Sequence, residues 1–386
     1  MNRVTVGQLC EPGTGQIKLD SEALIDYFDI ASVNSTSKSI TEFTTYTFGE
    51  APSRARKAIK KNSILVSTVR PNLNAVALFD KETPNTPVAS TGFCVLDCKE
   101  GTNPRFLFNY LQSKSFIDEM VAQATGASYP AVSDKIVKSA HIPAYSYEKQ
   151  TAIANVLDGL AEIISKRKQQ LQKLDELVKA RFVEMFGDPV QNPFRWPTRP
   201  LLEMGYCKNG MNFHIGDSGI EMHCLGVGDF KDYSVIDGTD NLPTVSLNEA
   251  PPEESMLRDG DIVFVRSNGN KALVGRCVVV YPRSTPTTYS GFCIRYRLTS
   301  GEVNTMYLLR VLKTASMRKK MAGRGANIQN LNQQILATLD IPTPPLELQE
   351  QFATFVKQTD KSKVVVQKAL DEVQTLFDSL MQLYFG

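Results

Sequence analysis

Residues that bind metal ions are scarce in this 386-residue sequence. It contains three histidines, His141, His214 and His223, and seven cysteines that form no CxxC pair. The nearest approach, Cys94 and Cys98, has one residue too many between the thiols for the usual zinc knuckle. We therefore expect no metal site in this chain.

Long apolar segments are also lacking. No stretch approaches the roughly 18 uncharged apolar residues that a membrane span requires. Residues 1–7 contain no apolar core of the kind that a signal peptide has. We therefore expect a cytoplasmic chain that does not enter a membrane.

Motifs of the common enzyme classes are absent as well. The chain has no GxxxxGK[ST] phosphate loop, no HExxH zinc motif and no GxSxG nucleophile elbow. Residues 192–194, Asn-Pro-Phe, match only part of the Asn-Pro-Pro-aromatic motif of adenine methyltransferases, and no glycine-rich cofactor loop precedes them. We predict that the chain is not an enzyme and holds no cofactor of its own.

Length and composition indicate a folded chain of several domains. The 386 residues exceed the roughly 100 to 200 of one domain, and 42% hydrophobic with 22% charged residues are ordinary values for a folded protein. The net charge of +2 conceals two basic runs without an acidic residue, 51–61 and 303–339. Each run is either a solvated helix face or part of a nucleic-acid surface.

A second copy of the sequence follows the first at an offset of about 199 residues. Residues 50–52, Glu-Ala-Pro, recur at 249–251, and residues 92–94, Gly-Phe-Cys, recur at 291–293. The offset changes to 198 or 201 in places, as expected where surface loops differ in length. The chain is therefore a tandem duplication.

Each copy ends in a long helical pattern. Apolar residues fall in alternating steps of four and three from Ile153 to Met185 and from Phe352 to Tyr384, without an internal proline. The predicted seam positions are Leu157, Leu160, Leu171, Leu174, Val356, Leu370, Val373 and Phe377. Two polar residues interrupt each seam, which favours pairing of the two helices with each other over a parallel homodimer. Ordinary core packing is the alternative for either helix taken alone.

The part before each helix mixes short β-rich runs with glycine, proline and asparagine turns. This mixture indicates small α+β globules. We therefore divide the chain into a first globule at 1–146, a long helix at 147–187, a linker with a second globule at 188–345, and a second long helix at 346–386.

Two kinds of loop in each globule contain candidate contacts to nucleic acid. One follows a strand-like run and combines arginine with asparagine, which pair with guanine and adenine in the major groove. The other offers backbone amides and small polar side chains to phosphates. The predicted DNA-binding residues are Arg70, Asn72, Asn74, Ser128, Tyr129, Arg266, Asn268, Asn270, Lys271, Lys319, Lys320, Arg324, Asn327 and Gln329. For residues 268–270, a second interpretation is equally good: the asparagines and the glycine are there because the backbone of a turn requires them, and not because they contact DNA.

Residues 142–150 and 341–349 share one arrangement, in which Ile-Pro is followed by Glu-x-Gln and the start of a long helix. Together with Gly-Ala-Ser at 126–128, this repeated arrangement resembles the specificity (S) subunit of type I restriction-modification systems, the HsdS family, over the whole chain. The resemblance implies an α+β fold with a pseudo-two-fold internal repeat. Two tandem α/β-mixed target recognition domains would be separated by two long helices that form an antiparallel coiled coil.

The same resemblance implies a function and partners. Each target recognition domain would read one half of an asymmetric bipartite site in double-stranded DNA, and the coiled coil would dock modification (M) subunits, two per chain. S-adenosylmethionine, ATP and Mg²⁺ would belong to the M subunits and to restriction (R) subunits that cleave DNA. A protein-only scaffold or decoy with the same fold, and a self-contained DNA-modifying enzyme, are the alternatives.

Overall fold

The computed structural model describes residues 2–13, 16–213, 216–230, 234–322 and 330–386. The chain divides into two compact units, which we call unit 1, Met1–Gln170 with Val366–Gly386, and unit 2, Leu171–Val365. Each unit therefore combines one globule with part of each long helix.

Unit 1 contains short strands in three main groups. Its strands are β1 Arg3–Thr5, β2 Leu24–Phe28, β3 Val33–Asn34, β4 Ser39–Ile40, β5 Thr44–Thr47, β6 Ala55–Ala58, β7 Ile64–Ser67, β8 Val76–Leu78, β9 Thr86–Ser90, β10 Phe93–Leu96 and β11 His141–Pro143. Its helices are α1 Val6–Leu9, α2 Pro104–Tyr110, α3 Lys114–Gln123 and α4 Asp134–Ser139, and α5 Tyr147–Phe186 begins here. The sheets have the orders β5-β2-β9-β6 and β10-β7-β8, and β1 pairs with β11.

Strand β7 separates two apolar cores of unit 1. Successive side chains of a strand point to opposite faces. Ile64 and Val66 accordingly pack in the core that includes α2, α3 and the start of α5. Leu65 packs in a second core with Phe28 and Phe93. The continuous apolar run of β7 is thus explained by burial of both faces.

Unit 2 has the same kind of architecture with a wider central sheet. Its strands are β12 Thr198–Pro200, β13 Gly205–Asn209, β14 Ile220–Leu225, β15 Val235–Asp237, β16 Thr244–Leu247, β17 Asp261–Val265, β18 Cys277–Tyr281, β19 Thr287–Tyr289, β20 Cys293–Leu298 and β21 Asp340–Pro342. Its helices are α6 Thr305–Lys313, α7 Ala315–Ala322 and α8 Gln333–Ala337, and α9 Leu346–Phe385 begins here. The sheets have the orders β13-β20-β17-β18-β15 and β16-β14-β19, and β12 pairs with β21.

The two long helices run antiparallel. In unit 1, Ile153 and Leu157 near the start of α5 share a core with Phe385 at the end of α9. In unit 2, Phe186 at the end of α5 shares a core with Phe352 near the start of α9. The start of each helix therefore packs with the end of the other, and the predicted α+β fold with two tandem globules and paired long helices is confirmed.

Most seam positions lie where the four-and-three spacing predicts them. Leu157, Val356 and Leu370 are buried. The remaining predicted seam residues, Leu160, Leu171, Leu174, Val373 and Phe377, are half-buried. Among the polar seam residues, Lys363 Nζ lies 2.5 Å from Asp175 Oδ1 within unit 2. Polar positions of the seam are thus accommodated by ion pairs and hydrogen bonds.

The last two turns of each helix differ from the predicted pattern. The predicted positions Arg181 and Met185 are only half-buried, whereas Phe182 and Phe186 are buried. The same shift by one residue occurs in α9, where Met381 and Phe385 are buried in place of Leu380 and Tyr384. These aromatic residues pack against globule side chains, and an α-helix with 3.6 residues per turn drifts away from a 3.5-residue repeat.

A structured linker follows α5. Gly187 has φ 72° at the end of the helix, and a Cβ atom there would lie 2.4 Å from Pro193 Cγ. Asp188 Oδ1 accepts hydrogen bonds from the backbone amides of Val190 and Gln191. The predicted helix end and linker are therefore present, with the linker fixed by local hydrogen bonds. Within the described part of the chain, no helix is long and apolar enough to span a membrane.

Candidate nucleic-acid interface

The two predicted loops of unit 1 lie side by side. Val69, just after β7, forms an antiparallel bridge with Ala131. The Arg70 amide donates a hydrogen bond of 2.7 Å to the Pro130 carbonyl. The arginine loop and the glycine loop at 126–130 are therefore joined through their backbones, although about sixty residues separate them in sequence.

Arg70 and Tyr129 form a cation–π pair at this junction. The Arg70 guanidinium lies 4.8 Å from the centroid of the Tyr129 ring, and Tyr129 is 67% exposed. The backbone of Arg70 is left-handed, with φ 50°. Asn72 and Ser128, which lie close to Arg70 and Tyr129 in the sequence, are also exposed. These side chains are accessible to a ligand, and a guanidinium stacked on an aromatic ring presents its donors along the ring edge.

Asn74 has a structural position instead. It is buried, and its side-chain amide donates a hydrogen bond of 2.9 Å to the Leu111 carbonyl. Lys38 Nζ donates to both the carbonyl and the side-chain oxygen of Asn74. The prediction that Asn74 binds DNA is therefore wrong, because the protein interior engages both ends of its amide. Asparagine suits this position because its backbone is left-handed, with φ 46°.

Unit 2 joins its two loops in the same way. Ser267, just after β17, forms an antiparallel bridge with Asn330. The Arg266 carbonyl accepts a hydrogen bond of 2.8 Å from the Leu331 amide. The predicted residues of the second loop, Arg324, Asn327 and Gln329, lie outside the described residues.

The loop after Arg266 is shaped by its asparagines. Asn268 Oδ1 accepts a hydrogen bond from the Asn270 amide, and Asn270 Oδ1 accepts one from the Ala272 amide. Lys271 is exposed in the same turn. Of the two alternatives for 268–270, these bonds support the turn, since both side-chain oxygens are used by the backbone.

Arg266 itself bonds to a neighbouring turn. Its Nη1 donates to the Gly291 carbonyl at 3.3 Å, and its amide donates to the Phe292 carbonyl at 2.8 Å. Arg266 is half-buried, in contrast to the exposed Arg70. The two arginines therefore differ in position as well as in partners, because Arg70 follows the bridge residue Val69 and Arg266 precedes the bridge residue Ser267.

The basic run at 303–339 is not a single surface. Arg310 is buried in α6, and burial lowers the pKa of its guanidinium. Lys313 Nζ donates to Ser234 Oγ at 2.9 Å. These two residues belong to the body of unit 2, because α6 packs one face into its core. Among the residues of this run that the structure describes, the exposed lysines are Lys319 and Lys320 in α7.

Helix α7 is attached to the loop that follows Arg266. Arg318 Nη2 donates to the Ala272 carbonyl at 3.0 Å and to the Val274 carbonyl at 3.2 Å. Lys319 and Lys320 therefore lie on a helix that contacts the predicted reading loop. The sequence contained no signal for Arg318, which looked like its basic neighbours.

The Glu-x-Gln motif at the start of each long helix has a structural role. Gln150 Oε1 accepts from the Asn103 amide at 2.9 Å, and Gln150 Nε2 donates to the Tyr145 carbonyl at 2.9 Å. Gln349 Oε1 accepts from the Asn304 amide at 2.8 Å and its Nε2 donates to the Pro344 carbonyl at 2.7 Å. Both glutamines are buried. Each one joins the start of a long helix to the N-cap of α2 or α6, and we call this arrangement the glutamine clamp.

Among the residues that the structure describes, no group of three or more histidine, cysteine or acidic side chains could hold a metal ion. His141 is exposed in β11, and His223 Nδ1 lies 2.9 Å from the Leu242 carbonyl. His214 lies outside the described residues.

A family model described as "Type I restriction modification DNA specificity domain" matches residues 1–175 and 248–374. Among curated relatives, the StySPI specificity subunit of a type I restriction enzyme from Salmonella potsdam is 23% identical over 299 residues. That match covers 72% of this chain and 63% of the relative, so it spans less than two thirds of the relative's length. The MjaVIII specificity subunit from Methanocaldococcus jannaschii is 23% identical over 300 residues, which are 72% of this chain and 68% of the relative.

Solved structures share the fold. A chain from work on the assembly and conformational transition of a type I R-M system superposes with a TM-score of 0.61 at 22% identity, covering 99% of this chain and 96% of that chain. The S subunit of a type I restriction-modification system from M. genitalium gives a TM-score of 0.58 at 16% identity, covering 100% of this chain and 96% of its own. The duplicated globules, the paired helices and the match over both copies lead to one conclusion: the chain belongs to the type I restriction-modification DNA specificity domain family.

Proposed function

We propose that this chain is the sequence-specific DNA-recognition subunit of a type I restriction-modification enzyme. Each globule reads one half of an asymmetric bipartite site in double-stranded DNA. The chain itself catalyses no reaction. Modification subunits, two per chain, supply S-adenosylmethionine and methylate the DNA, and restriction subunits with ATP and Mg²⁺ cleave it.

The observation that carries this proposal is the loop junction present in both units. A bridge joins Val69 to Ala131 in unit 1 and Ser267 to Asn330 in unit 2. Each bridge places an arginine at the end of a buried strand, next to a second loop from a distant part of the sequence. Loops held by a rigid sheet are where binding residues are usually found.

The chemistry of the junctions suits DNA. In unit 1, Arg70 and Tyr129 offer a guanidinium and a ring, which can bond to base edges and stack. In unit 2, Lys319 and Lys320 are exposed on α7, where they can neutralise phosphates. Because the side chains differ between the units, the two half-sites would differ in sequence. The relatives described above are specificity subunits of type I restriction enzymes, which agrees with this proposal.

DNA binding tests the proposal directly. We expect the full chain, with its modification subunits, to bind duplex DNA with a dissociation constant that rises steeply with salt. Replacing Lys319 and Lys320 together by alanine should lower the salt slope by roughly one unit per lysine without changing sequence preference. No binding to DNA would instead support a protein-only scaffold. Methyl transfer from S-adenosylmethionine by the purified chain alone would support a self-contained enzyme.

Exposed apolar residues on the long helices support docking of the modification subunits. In unit 1, Val156 and Ile163 on α5 are separated by seven residues, as are Leu376 and Leu383 on α9, and all four are exposed. In unit 2, Leu177 continues the seven-residue spacing of α5 and is also exposed. Apolar rows on a helix surface that the protein itself leaves uncovered are typical of interfaces.

Substitutions in these apolar rows can show whether a variant has lost binding to the modification subunits or has lost its fold. Because Ile163 and Leu383 are exposed, Ile163→Asp and Leu383→Asp should leave thermal stability within about 0.5 kcal/mol. We expect both to abolish co-purification with the modification subunits. Glu162→Gln, next to Ile163 on an exposed position, is the matched control and should keep the complex intact. Complexes that survive both aspartate substitutions would contradict this docking surface.

A further inference from the structure

The repeated Gly-Phe-Cys motif places its phenylalanine differently in the two units. Phe93 of unit 1 is fully buried, in the core that contains Phe28 and Phe79. Phe292 of unit 2 is 60% exposed. Residues that match in sequence are therefore core in one copy and surface in the other.

A shift of one residue in the strand register explains the difference. In unit 1, Phe93 faces the same core as Leu65 of β7. In unit 2, the residue that faces the same core as Val263 and Val265 of β17 is Cys293. Cys293 thus has the place of Phe93, and Phe292 falls in the turn before β20. Because side chains alternate along a strand, a shift by one residue moves a side chain to the opposite face.

The turn that presents Phe292 is fixed at several points. The Gly291 amide donates to the Met211 carbonyl at 2.6 Å, and the Phe292 amide donates to Ser290 Oγ at 3.3 Å. The Phe292 carbonyl accepts from the Arg266 amide at 2.8 Å. A Cβ atom on Gly291 would lie 2.1 Å from Asn212 Oδ1, so a larger residue there would displace the Asn212 side chain. The exposed ring is therefore held by a backbone that has little freedom to withdraw it.

Basic residues flank the turn of Phe292. Arg266 Nη1 donates to Gly291, the residue next to it. The loop 266–276 contains three basic residues and no acidic one, and α7 with its exposed lysines is bonded to that loop through Arg318. A single exposed apolar residue is common on protein surfaces. A rigidly held ring beside an arginine, in a segment without acidic residues, matches a ligand that combines phosphates with apolar base edges.

We propose that Phe292 is a specificity-determining residue that contacts the C5-methyl group of a thymine in the half-site read by unit 2. The inference rests on the proposed DNA-recognition function and assigns one contact within it. Apolar contact with the thymine methyl is one of the ways in which side chains read the major groove. In unit 1, the exposed ring at the loop junction is Tyr129, which lies beside Arg70, so the two units would read different bases.

Deoxyuridine tests this contact, because it pairs like thymine and lacks only the methyl group. The probe is a duplex with the methylation target of the assembled enzyme, in which each thymine is replaced singly by deoxyuridine. With the wild-type chain and its modification subunits, one such replacement should weaken binding about fourfold, which corresponds to one buried methyl group. With Phe292→Ala, the same replacement should have no effect, and binding to the unmodified duplex should already be weaker by fourfold or more. Phe292→Leu should keep part of the discrimination.

Phe194→Ala is the matched control, since Phe194 is also exposed in unit 2 and lies in the linker. It should retain the wild-type response to every deoxyuridine. Equal affinity of Phe292→Ala and wild type for the unmodified duplex would overturn the inference. If Phe292→Ala lost affinity equally for the target and for unrelated DNA, the inference would also be overturned. Phe292 would then contact DNA without regard to sequence, or insert between stacked base pairs. If the wild-type enzyme does not distinguish the target from unrelated DNA, the proposed function fails and this inference falls with it.

Discussion

Units 1 and 2 share their framework and differ at their loops. Both have a short terminal strand pair, β1 with β11 and β12 with β21, and both have the glutamine clamp and the bridged loop junction. At the junction, Arg70 stacks on exposed Tyr129 in unit 1, whereas Arg266 bonds to the turn of exposed Phe292 in unit 2. The contacts that the two units share are those that hold the fold, and the contacts that differ lie at the surface. A duplicated chain with this division is suited to reading two unlike half-sites.

The largest expected effect concerns the aromatic residue at the end of each long helix. Phe186 lies 4.8 Å from the Tyr307 ring, and Phe385 lies 5.4 Å from the Phe106 ring. Replacing either by alanine should cost about 3–5 kcal/mol of stability. We expect Phe186→Ala to loosen unit 2 and Phe385→Ala to loosen unit 1, as measured by hydrogen exchange in each unit. Val183→Ala and Leu383→Ala, at exposed positions, are the controls.

Introducing a charge into the helix seam should lower stability somewhat less, and by different amounts at Leu370 and Leu174. Leu370→Asp places a carboxylate at a buried position and should cost about 3 kcal/mol or more. Leu174→Asp should cost less, because Leu174 is half-buried. Thermal unfolding measures both changes. Unchanged melting temperatures for both variants would contradict the pairing of the helices.

The glutamine clamp should contribute to stability in both units, and more in unit 2, where Gln349 Nε2 also donates to the Glu302 carbonyl at 3.1 Å. Gln150→Ala and Gln349→Ala each leave a backbone amide and a carbonyl without their partner, at a cost of about 1–3 kcal/mol. Glu148→Ala and Glu347→Ala, at the exposed position of the same motif, are the controls. Chemical denaturation measures all four variants. A clamp substitution as mild as its control would show that the repeated motif has another role.

The two loop arginines should affect different halves of the target. Arg70→Ala and Arg266→Ala should each reduce binding by about 1–3 kcal/mol and relax base preference in one half-site only. Binding to libraries in which one half-site is randomised measures this effect. If both variants keep affinity and preference, these loops do not read the DNA.

A pH dependence of stability is expected from Lys38 in unit 1. Burial lowers the pKa of Lys38, which donates to Asn74, from 10.5 to about 8. The unfolded chain then binds more protons than the folded chain between these values, so Lys38 makes stability rise with pH from about 8 to 10.5. Lys38→Met should remove this contribution when unfolding is compared with wild type across that range. A pH profile identical to that of wild type would show that Lys38 is not perturbed.

The long helices could be predicted because their heptad pattern is a local signal. The pattern failed only in the last two turns, where Phe182 and Phe186 face the globule instead of continuing the seam. Globule packing depends on residues such as Tyr307 that are far away in sequence. The repeat also predicted a loop after each matching strand, because turn residues recur there. It did not fix the place of the arginine in the loop, since Arg70 follows the bridge residue of unit 1 and Arg266 precedes that of unit 2.

The side chains at the loops were harder to predict. Asn74 looked like a surface residue, since its bonds to Leu111 and Lys38 come from distant segments. The repeat matched Phe292 with Phe93, and that match gave no sign of the change of strand register. In both cases the deciding contact lies outside the motif.

Mapping of methylated adenines in cells that express the chain with its partner subunits tests the two-unit reading most directly. We predict a target made of two unlike half-sequences separated by unread bases, and loss of the methylation when this chain is removed. Exchange of residues 188–345 for those of a relative should change one half-sequence and leave the other intact. A continuous target without an unread spacer, or a methylation pattern that does not depend on this chain, would contradict it.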